Sequence, residues 1–287
     1  MSVSRSASTR PARAALLPAL LPALVLTLAA AGPAAGAEPP PPLWELGAGA
    51  TVLRMPHYRG AEQSRTWVLP IPYAVYRGEI LRADREGARA VLLDRGRVEL
   101  DLSVAASAPT RDGENRARAG MPALEPTVEF GPNLKIDLAR HGDLRVVLHL
   151  PVRAAFALGT TWRHAGWAAS PHLALDGAAG AWDFGLRAGA LWGDRRLHGL
   201  FYDVDPAYAT ATRPAYQARG GSAGHQFTVG GSRRLGPFWV GAFWRLDSVA
   251  GAAFEPSPLV RRQHNRMFGV GVSWIFATSS QPAPHID

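Results

Sequence analysis

The sequence predicts an all-β protein, a transmembrane antiparallel up-and-down β-barrel of about 12 strands, with 10 as the fallback. Three observations carry this. Apolar and polar residues alternate with period two through most of the body, which puts one kind on each face of a strand. Short and long links alternate between those runs, as two rims of a barrel require. Beyond residue 37 no run of 18 apolar residues occurs, so any membrane insertion must use strands rather than a helix.

The chain begins with a segment to be set aside. Residues 1–13 carry Arg5, Arg10 and Arg13 and no acid. Ala14 to Ala31 is apolar, and Ala35-Gly36-Ala37 supplies a small-residue cleavage site. This is the order of a cleaved secretory signal peptide, residues 1–37. An uncleaved anchor is the alternative, but Pro18 and Pro22 interrupt the run and no stop-transfer flank follows. The absence of Cys excludes a lipid-anchored form, disulfide frameworks, thiolate zinc sites and cysteine nucleophiles. It also suits an oxidising envelope compartment.

Charge needs the same correction. The formal net charge is +8 across 287 residues, with a sequence pI of about 10.6. Loss of the three leader arginines lowers it to +5, and an exported chain meets no genome, so no nucleic-acid partner is expected. An apolar content of 47% excludes general disorder, and a mean hydropathy of −0.05 is what alternating lipid-facing and lumen-facing residues average to.

A short periplasmic lead, 38–42, precedes the barrel, placed at 43–276. In Arg97 to Ala108, Val98, Leu100, Leu102 and Val104 oppose Arg97, Glu99, Asp101 and Ser103. In Glu125 to Leu138, Val128, Phe130, Leu134 and Ile136 oppose Thr127, Glu129, Asn133, Lys135 and Asp137. Leu144 to Leu158, Trp182 to Trp192 and Phe238 to Leu246 repeat the pattern. Residues 79–93 contain Asp84-Arg85-Glu86-Gly87, a turn that splits them into two short strands. Met267 to Phe276 closes the set, with Phe268, Val270, Val272, Trp274 and Phe276 on one face and Gly and Ser on the other. A polar tail, 277–287, follows. Tight links fall at 94–96, 140–142, 177–180 and 235–237; longer ones near 109–122, 158–165, 195–221 and 248–263.

Alternation alone fits a soluble sandwich as well, with its apolar face inward. Three features turn the apolar face toward lipid. The runs reach the roughly 9–11 residues that a tilted membrane strand needs. Charges of both signs sit in mid-strand. Trp44, Trp67, Trp162, Trp167, Trp182, Trp192, Trp239, Trp244 and Trp274 lie mostly near segment ends, where aromatic girdles form.

Several segments then resemble the MltA-interacting protein (MipA)/OmpV family. Pro56-His57-Tyr58-Arg59-Gly60 followed by Val68-Leu69-Pro70-Ile71-Pro72-Tyr73-Ala74-Val75-Tyr76 is similar to its P-x-Y-x-G segment and following strand. Phe201-Tyr202-Asp203-Val204 through Pro214-Ala215-Tyr216 resembles a family loop, and Ser257-Pro258-Leu259-Val260 its segment before the last strand. The chain departs from the pattern at Asp203 and at Thr212-Arg213. The resemblance implies a non-enzymatic outer-membrane protein. It also implies, through the family's namesake, a scaffold between a murein lytic transglycosylase and a penicillin-binding protein. Outer-membrane lipid and lipopolysaccharide are the further expected partners.

Other chemistry is weighed against this. His198, Asp203 and Asp205 share one long link and offer acid and base types for a rim hydrolase, but an ordinary polar loop with locally hydrogen-bonded side chains is the favoured reading. No G-x-S-x-G, H-E-x-x-H or phosphate-binding loop occurs, and His57, His225 and His264 show no metal spacing. No catalytic residue, metal or cofactor is therefore assigned. The lumen-facing set Arg97, Glu99, Asp101, Glu129, Lys135, Asp137, Arg145, Arg153, Asp183, Arg187, Arg245 and Asp247 is nearly balanced in sign. It favours interior ion pairs over a charge-selective pore, with a small diffusion pore as the alternative function. Arg111, Arg116, Arg118, Arg163, Arg213, Arg219, Arg261 and Arg262 in the outer links suit lipopolysaccharide phosphates. A bias of 30 Arg to one Lys accounts for them equally well.

Overall fold

The computed structural model describes residues 41–78, 81–84, 87–110 and 113–284. The expected signal peptide, Arg111 and the last three tail residues lie outside the described residues. Thirteen strand segments run in chain order. They are β1 Trp44–Pro56, β2 Ser64–Arg77, β3 Leu81–Asp84, β4 Gly87–Arg95, β5 Val98–Ser107, β6 Thr127–His141, β7 Leu144–Leu158, β8 Trp162–Ala169, β9 His172–Ala179, β10 Trp182–Gly193, β11 Gly221–Leu235, β12 Phe238–Ser248 and β13 His264–Thr278. One helix, α1 Arg195–Tyr202, sits between β10 and β11.

The segments make twelve staves. β8 pairs with Val152–Leu158 of β7 and β9 with Arg145–His149 of the same strand, so the two are halves of one stave. Ser170-Pro171 separates them, and Pro171 has no amide to give the ladder. On the other side β10 spans both halves, pairing Gly189 with His172 and Trp192 with Ala169. Every stave is antiparallel to its neighbours, and β13 pairs back onto β1, Val270 against Val52, to close the sheet. Closure pairs the staves around the barrel, as the hydrocarbon core favours, except where β3 and β4 stop short between β2 and β5.

Outward-facing Val52, Val104, Val152, Val270, Val272, Trp274 and Phe276 are all exposed. A continuous apolar belt of this kind is a lipid surface. The rim with the two-residue turns 96–97, 142–143, 180–181 and 236–237 is then periplasmic and the rim with the long links extracellular. At the periplasmic rim the chain ends join. Leu43 N donates to Gln281 O, Ala283 N donates to Pro41 O, and Pro42 bridges Pro282.

Three expectations need correction. The link near 158–165 is not long: β7 ends at Leu158 and β8 starts at Trp162, because Trp162 to Ala169 already ladders onto β7. The tail begins later than 277, since β13 continues through Thr278 to pair with Glu45. The aromatic girdle holds fewer of the nine Trp than expected. Trp239 turns into the lumen beside Tyr73, ring centroids 6.1 Å apart, and Trp67 shares the inward parity of Ile71.

The lumen is divided. Toward β4–β10 it is filled by charge: Lys135 Nζ lies 2.8 Å from Asp101 and 3.1 Å from Glu99, Arg82 2.8 Å from Glu99, and Arg145 2.7 Å from Asp137. These are cross-strand ion pairs of the expected kind. Toward β1, β2, β12 and β13 it is lined instead by Thr51, Ile71, Trp239, Phe243 and the glycines of β13. Strict polar-inward alternation therefore fails on β2, where residues 67–76 are apolar on both faces except for the tyrosine hydroxyls.

Candidate functional site: the outer cap and the lumen

The extracellular links fold into a packed cap. Its core joins Tyr58 and Ala61 from the β1–β2 link, Ala117, Met121 and Leu124 from the β5–β6 link, Tyr202 and Val204 after β10, and Val249, Phe254 and Leu259 before β13. Phe254 and Leu259 are 1% and 0% exposed, which is interior rather than loop behaviour.

Local chemistry builds each piece. The Asp194 carboxylate accepts from Leu197 N at 2.8 Å and caps α1. One turn apart on that helix, His198 and Tyr202 face the same way. The Tyr202 ring stacks on Phe254 with centroids 3.7 Å apart, and His198 meets Phe254 edge-on at 4.8 Å. Tyr202 Oη donates to Arg59 O at 2.9 Å, Tyr58 Oη donates to Leu259 O at 2.9 Å, and Ser257 Oγ donates to Tyr202 O at 2.8 Å. Gly60 takes φ +87°, a left-handed conformation that suits glycine, and its carbonyl receives the amides of Arg261 and Arg262. Below the cap, Arg59 lies 3.6 Å from buried Asp247, which Arg245 also holds at 2.9 Å.

The predicted site residues are thus accounted for. His198 is buried, with Nδ1 2.7 Å from the Arg219 carbonyl. Asp203 accepts from Ala218 N at 2.6 Å, and Asp205 accepts from Ala207 N at 2.8 Å as an N-cap. An open cleft of about 680 Å³ beside α1 is lined by Asp194, Arg195, Asp203 and His164. Asp194 and Asp203 there each accept from a backbone amide, as locally bonded loop carboxylates do. Among the described residues no cluster of three His, Cys, Asp or Glu is placed to hold a metal ion.

The outer arginines separate into two sets. Arg118 and Arg213 are buried staples rather than phosphate ligands, which corrects the reading of all eight as one surface. Arg118 donates to Phe201 O at 3.0 Å and Arg213 to Ala117, Ala119 and Tyr208 carbonyls at 3.0, 2.9 and 2.7 Å. Arg116, Arg163, Arg219, Arg261 and Arg262 are exposed, although Arg163 pairs with Glu125. The cap core itself escapes sequence reasoning. The only available signal is that three motifs carrying the family resemblance contain Tyr58, Tyr202 and Leu259, and these meet in space.

Burial perturbs the cap's titratable groups. It pushes the Tyr58 hydroxyl up to about 12 and raises Tyr202 further, so both stay protonated donors. It lowers the His198 and His57 imidazoles, chiefly by desolvation of the charged form. Since the unfolded imidazole titrates near about 6.5, cap stability is complete above that pH and is lost as pH falls toward the depressed folded values. Hydrogen exchange over 194–220 is therefore expected to quicken between about pH 8 and about pH 5, beyond its intrinsic pH dependence, and less so in His198→Gln. Equal protection at both would contradict this.

A closed twelve-stave barrel with a lipid belt and a packed cap of outer links is an outer-membrane β-barrel protein. The family model described as MltA-interacting protein MipA matches residues 47–276, and the chain belongs to that family. A comparison with curated proteins gives no match. Among solved structures, the chain is similar to the CymD monoaromatic hydrocarbon channel at 10% identity and a TM-score of 0.39, covering 82% of this chain and 89% of that one. It is also similar to outer-membrane expressed OmpT of Vibrio cholerae, with 11% identity, a TM-score of 0.28, and 81% and 97% of the two chains. OprD from Pseudomonas aeruginosa gives 7% identity, a TM-score of 0.25, and 88% and 98%.

Proposed function

We propose that this chain is a non-enzymatic structural protein of the outer membrane that anchors a murein-remodelling complex at its periplasmic rim. The observation that carries the reading is the packed cap. With the extracellular links drawn into a cap that we read as closing that mouth, the periplasmic rim is the polar face turned toward murein and left to recruit a partner. Arg95, Arg97, Arg140 and Arg234 are exposed there, and the paired lead and tail project beyond the staves. Exposed Asp94 and Asp143 share these turns, and Arg140 and Arg234 pair with Asp137 and Glu45, so the rim is mixed in sign and suits a partner surface of complementary pattern. The family's name, MltA-interacting protein, supports a lytic transglycosylase as that partner; a penicillin-binding protein completes the scaffold.

Cross-linking of intact envelopes followed by mass spectrometry tests this. Recovery of a lytic transglycosylase through peptides of the 94–97, 140–145 or 233–237 turns is expected. Recovery of no murein enzyme overturns the reading. Two alternatives have their own readouts. Frequent openings of the wild-type chain in a planar bilayer favour the small diffusion pore. Co-purified lipopolysaccharide that disappears when Arg261 and Arg262 become Gln favours a surface protein that contacts it. A rim hydrolase is the third reading; it requires an activity abolished by His198→Ala.

A further inference from the structure

The barrel wall has a side window. β3 and β4 are too short to reach the extracellular rim. β3 pairs with β2 at Tyr76 and Arg77, and β4 with β5 only as far as Ala90 against Leu102. Above that level, among the described residues, neither β2 from Thr66 to Pro72 nor β5 from Ser103 to Ser107 has a strand on its facing side. The β5–β6 link roofs the gap: Gln63 Nε2 donates to Glu114 O at 3.3 Å, Arg116 N donates to Gln63 Oε1 at 2.6 Å, and Arg65 pairs with Glu114. Val68, Leu69 and Pro70 are exposed in succession, Val68 to 73%.

The window's edge refuses a strand. Arg77 N donates to Leu43 O, so in an unbroken register the odd residues of β2 bond to β1. Even residues turn their backbone groups to the gap, and two of these are Pro70 and Pro72, which have no amide to donate. Proline at an edge blocks strand addition. A donated strand or an edge-paired second copy is thereby disfavoured as occupant.

What the window opens onto is apolar. Leu69 and Ile71 point inward from β2, and Ile71 shares a cavity of about 350 Å³ with Thr51, Trp239, Phe243, Gly269 and Gly271. That volume lies within the roughly 300–1,000 Å³ of small-molecule sites. Asp176, Asp183 and Arg187 occupy its far side together with Phe184, so its apolar lining runs from Ile71 on β2 across to Trp239 and Phe243 on β12. Outside, Val68, Leu102 and Val104 belong to the lipid belt. The geometry points to a lateral binding site in which an acyl chain of a membrane lipid enters between β2 and β5 and lies against Leu69, Ile71 and Phe243. Backbone edges at membrane depth are tolerated because they border the lumen.

This goes beyond the scaffold reading and is tested separately from it. The full chain is placed in vesicles with phosphatidylethanolamine bearing a diazirine at mid-chain, irradiated, and mapped by mass spectrometry. Adducts on inward Leu69, Ile71 or Phe243 are expected alongside those on outward Val68 and Val104. A Cβ at Gly271 sits in ordinary contact with Thr51 and Ile71, at 3.5 and 3.6 Å, so Gly271→Leu fills the cavity. It is expected to cut inward labelling severalfold and leave outward labelling unchanged. Adducts confined to outward residues, or inward labelling unaffected by Gly271→Leu, overturn the proposal; so do cross-linked dimers with an unlabelled window. Should Gly271→Leu not fold, Ile71→Cys in this cysteine-free chain supplies a second readout. Its thiol is expected to react severalfold faster with pyrene maleimide from the bilayer than with a sulfonated, water-borne maleimide. The reverse order counts against the site.

Discussion

Truncating Phe254 to alanine is expected to open the outer cap while leaving the barrel closed. The ring is fully buried, stacked on Tyr202 at an interplanar angle of 7° and met edge-on by His198. Removing a buried Phe costs about 3–5 kcal/mol, because the cavity adds to the lost transfer energy. The stacked geometry adds about 0.5–1.5 kcal/mol that a shape-matched aliphatic residue would not restore. That loss falls on a local unit. The cap is held by side chains and link hydrogen bonds, whereas the staves are held by continuous ladders that Phe254 does not touch. Local opening is then the cheapest response. Hydrogen exchange over 194–220 and 249–263 should accelerate sharply, with the heat-shifted gel mobility of the folded barrel retained. Bilayer conductance is expected to rise above that of the wild type. Tyr202→Phe gives the calibration: it keeps the stacked ring and loses only the bond to Arg59 O, about 1–3 kcal/mol for an orphaned buried acceptor. If Phe254→Ala leaves exchange in the cap unchanged, the cap is not a cooperative unit and the closed-mouth argument for a scaffold loses its support.

The strand architecture was legible because period two is a local signal. Each of Val98 to Val104, Val128 to Ile136 and Val146 to Phe156 announces its two faces within a few residues, and the mid-strand charges name the lumen face. The short hairpin at 79–93 was legible from turn chemistry alone, and it decides the count of twelve. Misreadings arose where a local signal was absent or misleading. Trp162 looks like link because Gly159, Thr160 and Thr161 precede it, yet three residues suffice to turn between β7 and β8. Val68 to Tyr76 does not alternate, and one sequence cannot tell a strand buried on both faces from one bordering an opening; Pro70 and Pro72 hint at an edge only once the neighbour is known to be missing. The cap was illegible for another reason. Tyr58, Tyr202, Phe254 and Leu259 are separated by up to about 200 residues, so no periodicity links them. Arg118 and Arg213 show the same limit: their burial depends on which carbonyls the fold aims at them, and composition is silent on that.

Lys135→Met should destabilise the barrel more than any substitution on its lipid face, and the reason lies in which carboxylate is left behind. Lys135, the chain's one lysine, sits between Glu99 and Asp101, with side chains 8%, 12% and 1% exposed. Glu99 has other cations: Arg82 at 2.8 Å and Arg89 at 3.7 Å. Asp101 is less well served: beyond Lys135, Asn133 Nδ2 donates to it at a long 3.5 Å. Removing one partner of a buried pair costs about 3–5 kcal/mol, because the remaining charge stays desolvated and uncompensated. Here that charge is the Asp101 carboxylate. Asp101→Asn alone strands Lys135 less severely, as Glu99 still answers it. Combining Lys135→Met with Asp101→Asn removes the orphan and should recover much of the loss, giving a coupling that independent sites would not show. The urea midpoint of the gel-shifted, folded form reads all three variants. Additive losses in the double variant, or no loss in Lys135→Met, would mean the lumen charges are screened by water and do not pack the interior. The charged half of the lumen would then be open to ions, and the pore reading would regain ground against the scaffold.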